Sequence, residues 1–274
     1  MDFLDKHIIS KFEIDIDPNY LRRFVELSRI IFGLILTHRF INLYGMSVLW
    51  LPGDFKHSLI PIMILASIFL SIGFLTPIAI TLLAINFIFQ FFAGTLGSQV
   101  ALLMLYLYLF AGAGQTLSVD GWIKSRFSDC KRIYEKLYFF AIELTTKNFA
   151  RLRCFALFVF WLICYNAVLF HFFDPLWIMG KNLHLHFGTP YLSDFYMEHN
   201  LMRFTSATYS SLLRTGMYVQ GVWELFLFPL MFFRMGRVFI GLQGFAFFAI
   251  SAIFMNLGYL PVYELVLWAL LFLI

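Results

Sequence analysis

Three histidines occur within the stretch FHFFDPLWIMGKNLHLHFG, residues 170–188. His184 and His186 are two residues apart, so both can reach one metal ion only from an extended segment, and a third ligand would have to be His171 or His199. Histidines at a membrane surface more often bind no metal, and we therefore expect no metal site here.

His171 is the candidate catalytic residue of this stretch. The unperturbed pKa of histidine lies near neutrality, which suits a general base. The following Asp174-Pro175 pair is predicted to end the helix, leaving His171 about one turn inside it at the mouth of a cavity, with Trp177 as an interfacial anchor. A histidine at a helix end beside Asp174 can equally have a purely structural role.

Several other polar residues interrupt apolar runs, where an unpaired charge costs several kcal/mol. Besides Glu26, they are Arg29, His38, Arg39, Asn86, Gln90, Asn166, Gln220 and Glu224. Arg29 needs a partner at depth, and Glu224 in GVWELFLFP is the predicted one. Residues of this kind either fix helix packing or line a polar cavity between helices, and both interpretations stay open.

The composition indicates whether these residues lie in a soluble protein or in a membrane protein. The chain is 61% hydrophobic, 20% aromatic and only 13% charged, with 36 Phe among 274 residues. A soluble domain is nearer half apolar and a quarter charged. The sequence therefore predicts an all-α, polytopic membrane bundle in a single domain, 1–274.

The spans of that bundle are predicted from runs of about 20 mostly apolar residues. Eight segments qualify: 24–45, 57–75, 77–95, 98–117, 152–172, 216–233, 237–257 and 259–274. Thr76-Pro77 is expected to break the chain between the second and third. The parts outside the spans are an N-terminal segment, a connector and a long loop: 1–23, 118–151 and 173–215.

Orientation follows from the distribution of the 20 Lys and Arg residues, which concentrate in cytoplasmic loops. With the N-terminus inside, the outer loops hold few of them: Lys56, Lys181, Arg203 and Arg214. Most of the others fall in the segments assigned to the inside. Both termini are thus predicted to be cytoplasmic, and the loop 173–215 lies outside.

Two of the connecting segments have patterns of their own. In the connector, apolar residues recur at spacings of three and four: Ile123, Phe127, Cys130, Tyr134, Leu137, Ala141 and Leu144. Basic residues lie between them, so we expect one basic amphipathic helix, either against anionic headgroups or docked on a partner helix. The aromatic loop 173–215 is expected to form short interfacial helices.

Other classes of protein are excluded by missing motifs. The sequence contains no GxxxxGK[ST], GxGxxG after a strand, HExxH or GxSxG, and nothing in it indicates binding to nucleic acid. The three cysteines lack metal-ligand spacing and are odd in number, which argues against a disulfide framework.

The order of these features resembles one family. DPNYLRRFVELSRIIFGLIL opens the first span, LFAGAGQTLSVDGW ends the fourth, and the fifth closes on Trp-x-x-Gly. This order resembles the HTTM family, the membrane domain of vitamin K-dependent gamma-carboxylases and of bacterial SdpB-type proteins. Its most specific pieces here are SVDGW with Ser118 and Asp120, and the Trp177 to Gly180 element.

The resemblance implies alternative functions. Carboxylases of the family place a catalytic lysine where this chain has His171 and Phe172, so gamma-carboxylation is not expected. The small SdpB-type branch implies a bacterial inner-membrane factor that matures or exports a secreted antimicrobial peptide toxin, with a partner protein and a small precursor peptide. A quinone-linked, DoxX-like oxidoreductase is the second alternative, with quinone as its cofactor, and a lipid-binding structural subunit is the third.

Overall fold

The computed structural model shows a chain that is mainly helical. It describes residues 7–13, 16–50, 55–95, 97–171 and 173–272, and leaves undescribed the side chains of 47–50, 55–58, 128–129 and 204. Within the described ranges no strand occurs, which confirms the all-α class. Phe172, which the predicted resemblance places with His171 at the position of the carboxylase lysine, lies outside the described residues.

Thirteen α-helices follow one another in the part of the chain that is described. In order they are α1 Pro18–Trp50, α2 Phe55–Ile72, α3 Thr76–Phe92, α4 Ser98–Phe110, α5 Val119–Arg126, α6 Ser128–Leu137, α7 Thr146–His171, α8 Pro175–Ile178, α9 Asn182–Phe187, α10 Tyr196–Thr205, α11 Ala207–Leu230, α12 Arg234–Phe254 and α13 Leu260–Phe272.

Each of the eight predicted apolar segments overlaps one of these helices. The largest difference is α11, which begins at Ala207 rather than at 216, because the Ser206 side chain caps it by accepting from the Tyr209 N–H. The break before α3 is confirmed as a turn in which Gly73 and Leu75 both have positive φ, 70° and 45°. The first residues of α11 therefore lie in the segment predicted as the long loop, 173–215. The same segment contains the short helices α8, α9 and α10.

The connector 118–151 differs from its prediction. Instead of one amphipathic helix it forms two short helices, α5 and α6, separated at Phe127, whose backbone is extended. The chain then runs without helix to Thr146 and buries Leu144, while Tyr134 is buried on α6. The reason is that Tyr138 turns back to bond Asp120, which a continuous helix would carry away from it.

Two of the helices are long and apolar enough to cross a membrane by length and composition, namely α7 with 26 residues and α12 with 21. Shorter apolar helices are Leu59–Ile72 within α2, together with α3, α4 and α13. The helix lengths therefore indicate a membrane association without fixing a number of spans.

The chain divides into two compact units, Met1–Cys154 with Ala269–Ile274, and Phe155–Trp268. In unit 1, α1 packs along α2, α2 along α3 and α3 along α4. The α1 and α2 backbones approach closely at Gly33, where a Cβ would collide with Ser71. That close approach brings the polar residues of α1 near the turn before α3.

Helix α1 buries a charged pair and exposes apolar side chains. Its charged residues Glu26 and Arg29 are 1% and 0% exposed, whereas Leu27 and Ile31 on the opposite side are each 50% exposed. A helix on the surface of a soluble protein places its charges outward and its apolar side chains inward. Helix α1 instead buries Glu26 and Arg29 among apolar side chains such as Phe32 and Leu36 and turns Leu27 and Ile31 outward, so the charged pair belongs to its packed face.

Unit 2 has an aromatic core built by four helices. Phe160, Trp223, Phe248 and Trp268 contact one another with ring centroids 5.4 to 6.5 Å apart. The indole N–H groups of both tryptophans donate to backbone carbonyls of α12, each at 3.0 Å. Their polar atoms are thus satisfied by backbone, as buried tryptophans require.

The core of unit 2 predicts a cost for one added methyl group. Gly244 of α12 faces the Trp268 indole, and a Cβ would lie 2.4 Å from it. We expect Gly244→Ala to destabilise the protein by about 1–3 kcal/mol through overpacking. Gly221→Ala is the matched control, since nothing lies within 4 Å of its Cβ position, and it should be neutral or stabilising by up to about 1 kcal/mol. Thermal unfolding in mild detergent measures both, and equal midpoints would contradict the packing shown.

Candidate functional site

Two groups of polar residues are candidates for function, and each lies within one unit. The first, which we name the Glu26 network, joins Glu26 and Arg29 of α1 to the chain around SVDGW. The second, the His171 cluster, consists of His171, Trp177, Gln220, Glu224 and Gln243. Their geometries differ in a way that separates a structural role from a chemical one.

Glu26 is held by backbone from a distant part of the chain. Its Oε1 accepts from the N–H groups of Gly114, Gln115 and Thr116 at 2.8, 3.0 and 3.2 Å, and from the Thr116 hydroxyl at 3.2 Å. Its Oε2 accepts from Arg29 Nε at 2.8 Å. Successive N–H groups of this kind form a concave anion site, and the Glu26 carboxylate fills it.

Arg29 completes the same network. Its guanidinium donates to the carbonyls of Leu70, of Ser71 at 2.9 Å and of Leu117 at 2.8 Å, and the residue is fully buried. The predicted Arg29–Glu224 pair is therefore wrong. Arg29 finds its counter-ion one turn away on its own helix, in Glu26.

The SVDGW motif forms the other half of the network. Ser118 caps α5 by accepting from the Gly121 N–H at 2.9 Å. Asp120 accepts from the N–H groups of Leu75 at 2.8 Å and Thr76 at 3.0 Å. A carboxylate thus sits at the N-terminus of α3, where the helix dipole favours negative charge. Ser118 and Asp120 are accordingly capping residues for two different helices.

Tyr138 holds the connector onto Asp120. Its hydroxyl donates to the Asp120 carboxylate at 2.7 Å and lies 3.0 Å from the Gly114 carbonyl. Burial, and then the negative charge of Asp120, raise the pKa of Tyr138, and the same two causes raise the pKa of Tyr134. The Tyr138 phenol is a proton donor to Asp120, and this hydrogen bond indicates a structural role for this end of the network.

The remaining predicted polar residues of unit 1 divide into buried and exposed. Arg39 is buried, donates to Gln90 Oε1 at 2.6 Å and lies 5.1 Å from the Phe87 ring centre. Asn86 has a buried amide nitrogen that lacks a hydrogen-bond partner. His38 is exposed. Helices α1 and α3 thus bring Arg39 and Gln90 together and leave His38 on the outside.

The His171 cluster is arranged around a carboxylate. His171 Nε2 lies 3.7 Å from Glu224 Oε2, and the imidazole stacks on the Trp177 ring with centroids 3.7 Å apart. Gln220 donates to Glu224 Oε1 at 2.9 Å, and Gln243 lies 3.5 Å from Gln220. Glu224 Oε2 is buried without a hydrogen-bond partner. This is an incomplete polar site, unlike the fully satisfied Glu26 network.

The end of α7 differs in detail from its prediction. His171 is the last residue of α7 rather than a residue one turn inside it. Asp174 begins the next helix, because its side chain accepts from the Leu176 N–H at 2.9 Å and caps α8. The return of the chain through α8 is what places Trp177 against His171. Asn166, predicted on the same face, is exposed.

Two members of this environment were missed by sequence reasoning. Gln243 of α12 contacts Gln220, and Glu264 of α13 lies within electrostatic range of Glu224. Glu264 interrupts the apolar run LPVYELVLWALLF. A charge inside such a run is itself a signal of function or pairing, and it could have identified Glu264.

The Trp-x-x-Gly element is explained by packing. Gly180 is buried with φ 68°, a conformation that favours glycine. Arg214 lies directly over it, so a Cβ at Gly180 would be 2.6 Å from Arg214 Cγ. Tyr218 donates to the Ile178 carbonyl at 3.2 Å and closes the same turn. Gly180 therefore permits the turn that carries Trp177.

His184 and His186 do not act together. They lie on the helix α9, not on the extended segment that a shared metal would need; His186 Nδ1 is 3.1 Å from the Asn182 carbonyl oxygen. His184 instead faces His199, with ring centroids 5.3 Å apart. Burial lowers the pKa of both histidines, and the charge of Arg203 contributes. Among the described residues no group of three His, Cys, Asp or Glu could hold a metal ion.

Comparison with known proteins adds no assignment. No family model matches the chain, and neither a curated protein nor a solved structure matches it. The resemblance to the HTTM family therefore stays a prediction.

The Glu26 network predicts a large cost for removing one partner. Glu26→Gln keeps the shape of the side chain but leaves the buried Arg29 without a counter-ion, so we expect a loss of about 3–5 kcal/mol. Arg22→Gln on the same helix, where the side chain is exposed, should change stability by less than about 0.5 kcal/mol. Thermal unfolding in detergent distinguishes the two. A Glu26→Gln midpoint equal to that of the control would show that the pair is not part of the fold.

Proposed function

We propose that this chain is a multi-pass protein of the cytoplasmic membrane with about eight transmembrane helices. The observation that carries this proposal is that α1 buries the charged residues Glu26 and Arg29 while it exposes Leu27 and Ile31. Outward-facing apolar stripes beside buried charges fit an apolar surrounding, and large contiguous apolar surfaces are rare on soluble monomers. Lipid is the surrounding that fits.

Two further helices support the same setting. Helix α3 exposes one apolar stripe along its length, formed by Ile78, Leu82, Ile85 and Phe89. Helix α12 is one of the two full-length apolar helices and exposes Val238, Leu242 and Ile250. A lipid-facing helix is expected to have such a stripe opposite its packed side.

The proposed topology has both termini in the cytoplasm and the loop 173–215 outside. In a variant with Cys130, Cys154 and Cys164 changed to Ala, we expect Tyr191→Cys to react with an impermeant maleimide in intact cells. Lys131→Cys should react only after the membrane is opened. Both side chains are exposed on the protein, so a difference in labelling reports the side of the membrane and not burial within the fold. The reverse labelling pattern would invert the orientation.

Within this framework, we propose that the His171 cluster is a proton-accepting centre. The imidazole lies against a carboxylate at 3.7 Å and on an indole face. The carboxylate would attract the ring once it carries a proton, and the indole face would do so by cation–π contact. His171 could therefore take a proton from a bound substrate, with Glu224 stabilising the imidazolium that results.

The substrate is proposed from the resemblance. SdpB-type factors imply a small secreted precursor peptide and a partner protein, and the resemblance places His171 and Phe172 at the position of the family's catalytic lysine. A base near the membrane surface, such as His171, is in a position to act on a precursor peptide that enters from the bilayer. A bound quinone is the alternative, and Trp177 with His171 would then contact the quinone ring.

Substitution of His171 tests the centre. We expect His171→Ala to abolish release of a mature peptide from cells that co-express the chain with its small secreted precursor, while expression and thermal midpoint stay unchanged. His171→Lys should retain part of the activity. Asn166→Ala, on the exposed side of α7, and His186→Ala are the controls and should be silent.

Two outcomes would overturn this assignment. Full activity in His171→Ala would remove the catalytic role. An organic extract of the purified protein that contains stoichiometric quinone, lost in Trp177→Leu, would replace peptide maturation by quinone chemistry at the same cluster.

A further inference from the structure

The connector lies at one end of the helices of unit 1. The Asp120 N–H donates to the Gly73 carbonyl at 2.9 Å, in the turn between α2 and α3. The Ile142 N–H donates to the Phe110 carbonyl at 2.9 Å, at the last residue of α4. Helices α5 and α6 are therefore fixed in the layer where three helices of this unit begin or end. For a membrane bundle, that layer is the lipid–water interface.

The connector turns large apolar side chains outward in this layer. Trp122, Ile133 and Phe139 are 61%, 66% and 70% exposed, and Phe127 and Phe140 are also exposed. The rings contact one another in pairs, Trp122 with Phe127 and Phe139 with Phe140. These exposed rings do not pack within unit 1. Tyr134 and Leu144 of the same segment point the other way and are buried in the unit.

Exposed basic residues accompany these rings. Arg126, Lys131, Arg132 and Lys136 all have exposed side chains on α5 and α6. Two more exposed residues, Arg22 and Arg23, lie in the first turns of α1, the helix whose Glu26 binds the loop leading into the connector. Asp120 is buried and bonded to backbone, so it does not neutralise this face. Glu135 of α6 and Glu143 are exposed and offset part of the charge of the basic residues. The end of the unit therefore combines positive charge with exposed aromatic rings.

We propose that α5, α6 and residues 138–142 form a binding surface for anionic phospholipid headgroups. Lys and Arg near an anionic leaflet each contribute attraction to the surface, and aromatic rings insert at the headgroup level. An acidic partner protein would also match the charge. It would not account for the position of the rings at the helix ends, where lipid is already present in the proposed membrane setting.

The surface is held in place rather than free to detach. The Tyr138 hydroxyl bonds the Asp120 carboxylate at 2.7 Å, and Asp120 caps α3. Binding of headgroups to the connector therefore acts on the same residues that fix the start of α3. This inference rests on the proposed membrane setting but not on the chemistry of His171.

Short-chain lipids provide the test on the full chain in mild detergent. Dihexanoyl phosphatidylglycerol and dihexanoyl phosphatidylcholine are titrated separately, and native mass spectrometry counts the bound molecules. We expect a clear preference for phosphatidylglycerol. Combined Arg126→Gln, Lys131→Gln, Arg132→Gln and Lys136→Gln changes should remove that preference, with affinity falling about five-fold for each neutralised side chain. A combined Lys-for-Arg and Arg-for-Lys exchange at the same four positions keeps the charge and should keep the preference.

Each remaining outcome decides against the proposal. Equal binding of the two lipids by the unchanged protein would overturn it, as would an unchanged preference in the Gln variant. Inorganic phosphate that binds with the affinity of phosphatidylglycerol would show a free-phosphate site instead of a headgroup surface. If the lipid preference is absent while the cysteine-labelling pattern holds, this inference fails and the proposed topology stands.

Discussion

The buried pair of Glu26 and Arg29 requires partners that α1 alone does not supply. A paired carboxylate and guanidinium still have unused acceptors and donors, and each would be costly to leave unsatisfied in an apolar interior. The chain meets this requirement with backbone: three N–H groups from 114–116 for the carboxylate, and carbonyls from Leu70, Ser71 and Leu117 for the guanidinium. Helix α1 is thereby joined to the end of α2 and to the segment after α4.

The same requirement explains the neighbouring turns. The chain at 73–75 has to leave α2 with positive φ and start α3 at once, and Asp120 supplies the missing cap for that start. Tyr138 then bonds Asp120 and prevents the connector from forming one long helix. The glycine-rich and polar LFAGAGQTLSVDGW segment is thus explained by the satisfaction of buried groups.

The His171 cluster has the opposite character. Its central carboxylate has one amide donor on Oε1 and none on Oε2, and its histidine stands beside that open oxygen at the end of a helix. A buried polar atom without a hydrogen-bond partner lowers the stability of the fold. The Glu26 network therefore fits stability, and the His171 cluster fits binding or proton transfer.

Local patterns allowed the sequence by itself to determine the all-α class, the eight apolar segments and the identity of the polar residues within them. The partners of those residues were decided only by tertiary structure. Arg29 was assigned to Glu224 by depth, yet it binds Glu26 and carbonyl oxygens; His184 was read beside His186, yet it faces His199. For Arg29 the physical reason is that its other acceptors are backbone carbonyls, which every residue carries and which leave no trace in the sequence. For His184 the reason is that the packing of α9 against α10, and not the spacing along the chain, selects its neighbour.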